Sequence, residues 1–476
     1  MKKIRSPKVG FMVCSNYSGI KNEYGEEFSV HGLAEIAARK LEEKGIEVIR
    51  YKELVSGLIK KWQIENYNKD AVVDSEVKSN EAFDKFYQED VDCIVMFFSS
   101  FVFSSQYMQG LNRANKPILL WSGDGLEGDM ALGLFCQKGA MDAVGIDYKA
   151  VYGMPDDKEK LGEVVSFIKA SMVRNVLRRS KFGQWGSNPM GMFGGMMNDW
   201  EWLQKFGVIA EHLECSTIKE LAFKIPDEEC KHVYEKLKKC VKSIPPFEDK
   251  VFRDNIKFFL AHKRLKEEYN LDFDGIKCIR ELSDDPNFTC PCVGHALIWE
   301  DSGYISGCTS EPLGALTMYI MRLLTNEDTS IFQGDFEGVD FNKSIAIMDT
   351  SAAAPFNMAD EKGAYIKKGA YLGEGGSESY WVHLIGKKGP VTFARLNYVK
   401  GEFLMLIAKG MAIDTEEEYI RKSGWPSGPH VTIKIDGDAK KFVDNIRSQY
   451  NYIVYEDVVN DLIELCKILN IKYIYC

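Results

Sequence analysis

Few side chains in this sequence stand at spacings that suggest chemistry. The tightest grouping is Cys290-Pro-Cys292, with His295 three residues on. Thiolates and imidazoles bind zinc, but a structural zinc site takes four ligands, usually as two paired hooks, and no second hook follows here. The sequence's twelve cysteines are otherwise scattered, several inside apolar runs (Cys14, Cys93, Cys136, Cys466), which predicts buried thiols. Glu311 stands just ahead of an apolar helical stretch, where the helix dipole favours a carboxylate. His430, after Trp425-Pro426 and beside an alternating strand, reads as a structural histidine or as a metal ligand. Gly373-Glu-Gly-Gly-Ser-Glu378 sets two carboxylates near Trp381 and His383. An aromatic face among polar groups suits a sugar, and an exposed β-turn has the same composition. Met190, Met192, Met196 and Met197 suit either an adaptable contact surface or gap-filling packing.

Several chemistries are excluded. Ser15-Asn-Tyr-Ser-Gly19, after the first apolar strand, lacks the glycine spacing that lets backbone approach a pyrophosphate. Ser122-Gly-Asp-Gly-Leu-Glu-Gly128 has no Lys-Ser/Thr after it, so it is no P-loop. No nucleophile motif of the Ser/His/Asp or Cys/His kind stands in a familiar local context. The net charge is −10 and no long basic run occurs, which argues against a nucleic-acid partner. The basic start runs straight into a short strand without the longer apolar stretch of a signal peptide. No window approaches the ~18 apolar residues of a membrane span. A cytoplasmic protein with no membrane partner is expected.

The elements that must position any site follow from hydrophobic periodicity. With 476 residues, 45% of them hydrophobic and 27% charged, the chain has the composition of a globular protein of several domains. Val9–Cys14, 46–50, Asp92–Phe97 and Pro117–Trp121 are apolar runs of strand length. Between them Val30–Glu43 and 104–114 carry helical periodicity. Such alternation implies a parallel sheet covered on both faces. A helix over 165–179 opens a second unit, followed by the Gly/Met/Trp-rich stretch Phe182–Met197 and charged amphipathic helices over 217–242 and 247–269. That glycine-rich stretch is expected to be a mobile loop or one ordered around a ligand. A long helix covers 313–324. From about 345 onward strands dominate, as at 391–395, 401–407 and 431–435, before a closing helix at 458–469. The fold class expected is α/β: two doubly wound α/β domains, 1–165 and 166–345, followed by a mostly β, barrel-like domain at 346–476.

Four stretches together resemble the L-fucose isomerase and L-arabinose isomerase superfamily. They are Cys308-Thr-Ser-Glu-Pro-Leu-Gly-Ala-Leu-Thr-Met318, Ile331-Phe-Gln-Gly-Asp-Phe336, Gly389-Pro-Val-Thr-Phe-Ala-Arg395, and the run from Trp425-Pro426 through His430 to Tyr452. Members of that superfamily interconvert aldoses and ketoses through an enediol, using a divalent metal such as manganese. The resemblance puts the family's metal-binding aspartate on Asp335. With Ala315–Met318 as anchor, the family's metal-binding glutamate falls on Thr309, with Glu311 where a second acidic residue stands. The family's Asn-His falls on Asn451-Tyr452. Two of the three family ligands are therefore replaced, and Glu311 and His430 become the candidates to rebuild a site around Asp335. Thr350 and Ser351 occupy the place of the family's substrate loop, and Trp425 that of its Trp-Pro-His.

What the resemblance implies is a sugar isomerase with a rewired metal site, moving a proton between C1 and C2 of a deoxyhexose, pentose or derivatised sugar. Asp335 and Glu311 would be catalytic. Thr309, Thr350, Ser351, Trp425, Asn451 and Tyr452 would contact substrate, and Asp335, Glu311 and His430 would hold Mn2+ or another divalent cation, unless none is bound. The alternatives are a same-fold enzyme with different, metal-independent chemistry, or a non-catalytic carbohydrate-binding subunit. The partner expected is a small carbohydrate, in a homo-oligomer (hexamer or trimer).

Overall fold

The computed structural model describes residues 5–16, 20–21, 27–28, 31–55, 67–125, 130–189, 191–285, 287–301, 303–350, 353–369 and 379–476. The chain forms two compact units, Arg5–Asn175 and Val176–Cys476.

The first unit is built on a six-stranded parallel sheet. Lys8–Cys14 lies at its middle, paired with Glu47–Arg50 and Val72–Val73 on one side and with Cys93–Phe98 on the other. Ile118–Ser122 and Lys149–Tyr152 continue the sheet. All six residues of Cys93–Phe98 are fully buried, because helices cover both faces of a parallel sheet. The helix expected at 30–43 runs His31–Glu43 and buries Leu33, Ala37, Ala38 and Leu41. Gly45, at φ +77°, takes the left-handed conformation that ends it. Cys14 and Cys93 are buried as expected, but Cys136 is exposed on the outer side of helix Met130–Val144. An apolar run inside an amphipathic helix does not say which side each residue takes.

The second unit contains a four-stranded parallel sheet in the order Ile209–Leu213, Lys181–Trp185, Phe273–Ile276, Ser306–Cys308. The single helix expected over 217–242 is two, Cys215–Lys224 and Asp227–Cys240. Pro226 divides them, since it disfavours helical backbone at Ile225 and itself donates no hydrogen bond. Lys250–Glu268 and Pro312–Leu324 match their expected spans closely, and every residue of the latter is buried.

Six antiparallel strands close into a barrel in the same unit. Around it run Gly389–Val399, Tyr450–Val454, Ile331–Asp340, Ile345–Asp349, His430–Asp436 and Glu402–Ile413, which pairs back to the first. Closure removes the free edges that such a sheet would otherwise expose. The long hairpin Gly389–Val399/Glu402–Ile413 turns through Lys400-Gly401, both at positive φ (52° and 87°), the two-residue turn whose twist matches that of the strands. Lys472–Tyr475 adds in parallel to the outside of Glu402–Ile413. The expected α/β character followed by a barrel is what the chain forms. Among the described residues no helix is long and apolar enough to cross a membrane.

Candidate active site

The barrel register sets four side chains in a row. Asp335 pairs with Tyr450 on one neighbouring strand and with Asp349 on the other, and Asp349 pairs with His430. Residues directly opposite one another across antiparallel strands present their side chains on the same face. Asp349 and His430 are fully buried, while Asp335 is half-buried. Just past Asp335 the strand bulges between Phe336 and Gly338, which frees Glu337 from the ladder and leaves it exposed.

Two carboxylates side by side in a buried place cannot both hold a charge cheaply. Burial, with the charges of Glu337 and Glu311 added, pushes the Asp335 carboxyl up to about 7. Burial and Glu337 push Asp349 up to about 8. Neither oxygen of Asp349 makes a hydrogen bond among the described residues, and His430 Nε2 stands 3.6 Å from one of them. His430 itself is pushed down to about 4 by burial, so its ring is neutral at pH 7. Nδ1–H donates to the Gly428 carbonyl at 3.0 Å, which assigns the tautomer, and Nε2 then accepts from Ser423 Oγ at 2.9 Å.

Beside this row lies a second, fully buried cluster. Thr309 and Ser310 both have left-handed backbone, φ +62° and +57°, an arrangement that carries strain in residues other than glycine. It delivers Glu311 to the N-cap of helix Pro312–Leu324. The Glu311 carboxylate forms a two-pronged ion pair with Arg395 and accepts from the Tyr452 hydroxyl. Arg395 also donates to the Tyr450 carbonyl at 2.6 Å, to Asn397 Oδ1 at 3.2 Å and to the Gly194 carbonyl at 3.4 Å. Its guanidinium therefore has a partner in every direction, as a buried charge requires. Two glycines make room: a Cβ on Gly195 would stand 2.3 Å from Glu311 Cγ, and one on Gly314 would stand 1.7 Å from the Tyr452 hydroxyl. The Gly/Met-rich stretch is thus ordered, at Phe193–Gly195, against this cluster.

Of the residues that the resemblance offered to a cation, Thr309, Glu311, His430 and Tyr452 are engaged by protein partners. Glu311 is neutralised by Arg395, and Tyr452 is a neutral phenol, its pKa well above the ordinary value through burial first and then the Glu311 charge. The Thr309 hydroxyl donates to the Cys308 carbonyl at 2.6 Å, and both nitrogens of His430 are engaged. Among the described residues no three His, Cys, Asp or Glu side chains are placed to hold a metal ion.

Comparison with known proteins finds the same resemblance. A family model for the L-fucose isomerase C-terminal domain matches residues 344–476. Sulfoquinovose isomerases are similar over most of the chain. That of Priestia aryabhattai is 23% identical over 328 residues, covering 68% of this chain and 70% of its own length. That of Clostridium sp. (strain MSTE9) is 24% identical over 389 residues, covering 76% and 81%. That of Alkalicoccus urumqiensis is 21% identical over 399 residues, covering 80% and 86%. The chain is thus similar to the L-fucose isomerase superfamily, through its C-terminal domain and through these isomerases.

Of the positions singled out from this superfamily's pattern, Thr309, Glu311, Asp335, His430 and Tyr452 all lie in or beside the two clusters. Asn451 turns to its own chain, donating to the Ser448 and Gln449 carbonyls. Thr350 is buried beside the turn at Gly428. Trp425 packs edge-on against Trp381, which is fully buried and offers no open face to a sugar. Ser351, Met190 and the Gly373–Glu378 segment lie outside the described residues. Sequence reasoning missed Asp349, Glu337 and the role of Arg395. Asp349 had a signal, since Ile345-Ala-Ile-Met-Asp349 ends in a carboxylate just as the strand before it reaches Asp335.

Proposed function

We propose that this protein is an aldose–ketose isomerase acting on a derivatised sugar, with Asp335 as the group that moves the carbon-bound proton. The observation that carries the reading is the Asp335–Asp349 pair, two adjacent carboxyls raised to about 7 and about 8. Isomerisation removes a proton from C2, forms an enediol and returns a proton to C1. A base poised near neutrality can do both steps, because it binds and releases a proton at similar cost. Half-buried Asp335 can reach a substrate, whereas fully buried Asp349 acts through it as a positioning residue. Exposed Glu337 is the nearest further carboxylate able to carry hydroxyl protons between O1 and O2. Glu311, Arg395 and Tyr452 hold the helix N-terminus against the barrel. Neutral His430 completes the wall behind Asp349.

The relatives' name supports a substrate such as sulfoquinovose, and a homo-oligomer in the cytoplasm completes the reading. The test is a panel of aldoses, sulfoquinovose and deoxyhexoses included, incubated with the protein and followed by 13C NMR. Appearance of a ketose carbonyl or its cyclic form is expected from at least one. No ketose from any aldose on the panel would overturn the proposal.

A further inference from the structure

The helix that starts at the Glu311 cluster ends at a cavity. Pro312–Leu324 carries Arg322 in its last turn, where the side chain is buried, the residue being 6% exposed. Arg322 Nη1 donates to the Asn326 and Glu327 carbonyls at 2.8 and 2.9 Å, closing the turn that follows the helix. Neither Nε nor Nη2 has a hydrogen-bond partner among the described residues, and Nε is fully enclosed. The Nε–Nη2 edge thus left over is the one that grips a carboxylate side-on, with two parallel hydrogen bonds. A buried guanidinium unpaired along that edge is costly, and a bound anion would offset the cost.

Arg322 lines a cavity of about 150 Å3. At ~30 Å3 per water this is room for about five waters, well short of the ~300–1,000 Å3 of a drug-sized site, so its ligand is small. Gly303 borders the cavity with φ +63°, and a Cβ there would stand 3.4 Å from Arg322 Nε. Glycine therefore leaves that side of the guanidinium uncovered. Trp299 and Pro355 supply an apolar wall, the Trp299 Nε1–H being already given to the Ser306 carbonyl at 2.8 Å. Three exposed acidic residues, Glu300, Glu327 and Asp328, complete the lining. Glu300 accepts from the Phe356 N–H at 2.5 Å, which leaves Glu327 and Asp328 for a ligand. A simple anion entering the cavity would be repelled by these carboxylates. A molecule with an ammonium beside its carboxylate meets a partner for each charge. We propose that this cavity binds a small zwitterionic amino acid, its carboxylate on Arg322 and its ammonium between Glu327 and Asp328.

None of the candidate catalytic residues lines the cavity. The 325–330 loop at its edge joins the helix to strand Ile331–Asp340, which carries Asp335. Occupancy should therefore hold that junction and raise the second unit's thermal midpoint. Isothermal titration calorimetry of the full-length protein with glycine, L-alanine, L-serine, acetate, inorganic phosphate and ethylamine tests the proposal. One-site binding of at least one amino acid with Kd below about 1 mM is expected, about 10-fold or more tighter than either anion, with ethylamine silent. Glu327→Gln with Asp328→Asn alters only exposed side chains. It should keep the wild-type urea midpoint and weaken amino-acid binding about 10-fold or more, without weakening acetate. Arg322→Lys keeps a charge and a donor for the loop carbonyls but removes the fork, and should weaken amino acid and acetate alike. No saturable binding of any of the three amino acids would overturn the proposal. So would an anion bound as tightly as the amino acid, or unchanged affinity in either variant. Binding is read without turnover, so failure here is distinct from failure of the isomerase reading.

Discussion

Replacing Arg395 by Met removes the guanidinium while keeping most of the side chain's length and apolar contact. The loss would strand the Glu311 carboxylate, which is 1% exposed, with only the Tyr452 hydroxyl as partner. Breaking a buried ion pair from one side costs about 3–5 kcal/mol, because the remaining charge stays desolvated. The Tyr450 carbonyl also loses its donor at 2.6 Å, adding about 1 kcal/mol. The variant should therefore be destabilised by about 4–6 kcal/mol. Urea unfolding followed by tryptophan fluorescence, with the midpoint of the second unit's transition taken at constant slope, reads this directly. Adding Glu311→Gln to Arg395→Met removes the stranded charge and should recover a large part of the loss. A single variant within about 1 kcal/mol of wild type, or a double variant no more stable than the single, would refute the assignment of this pair.

Other consequences follow from the same geometry. Asp349→Asn should lower kcat by about 10- to 1,000-fold with the barrel intact, and should also shift the pH profile, which a purely structural role would not do. The wild-type pH–rate profile should be a bell centred between about 7 and about 8, the two carboxyls titrating as a pair. Both carboxyls sit above their unfolded values, so their stabilising contribution is complete below pH ~4 and is lost as pH rises through 7 to 8; thermal midpoints across that range should fall, and fall less in Asp349→Asn. Gly195→Ala forces a Cβ to within 2.3 Å of Glu311 Cγ and should cost about 1–3 kcal/mol in the same urea experiment.

How much of this was legible in the sequence depended on range. The buried strands of the first unit announced themselves as unbroken apolar runs, and the helix stop at Gly45 and the helix N-terminus at Glu311 lay where local chemistry puts them. Asp335 was reached through the resemblance and stands at the centre of the row. Its partner Asp349 was not, because pairing depends on the register between two strands, and no single window of sequence carries that. The Glu311–Arg395 contact joins residues 84 positions apart, and Gly194 reaches Arg395 across 201. Such contacts follow only once the barrel has closed against the helix.

The most direct measurement is solvent-deuterium incorporation into the turned-over sugar, comparing wild type with Asp335→Asn. In D2O the wild type should place deuterium at C1 of the ketose and C2 of recovered aldose, as an enediol passed through an exchangeable carboxyl requires. Asp335→Asn should lose both exchange and turnover by about 100-fold or more while keeping the wild-type urea midpoint. Deuterium incorporation at the wild-type rate in Asp335→Asn would contradict the account.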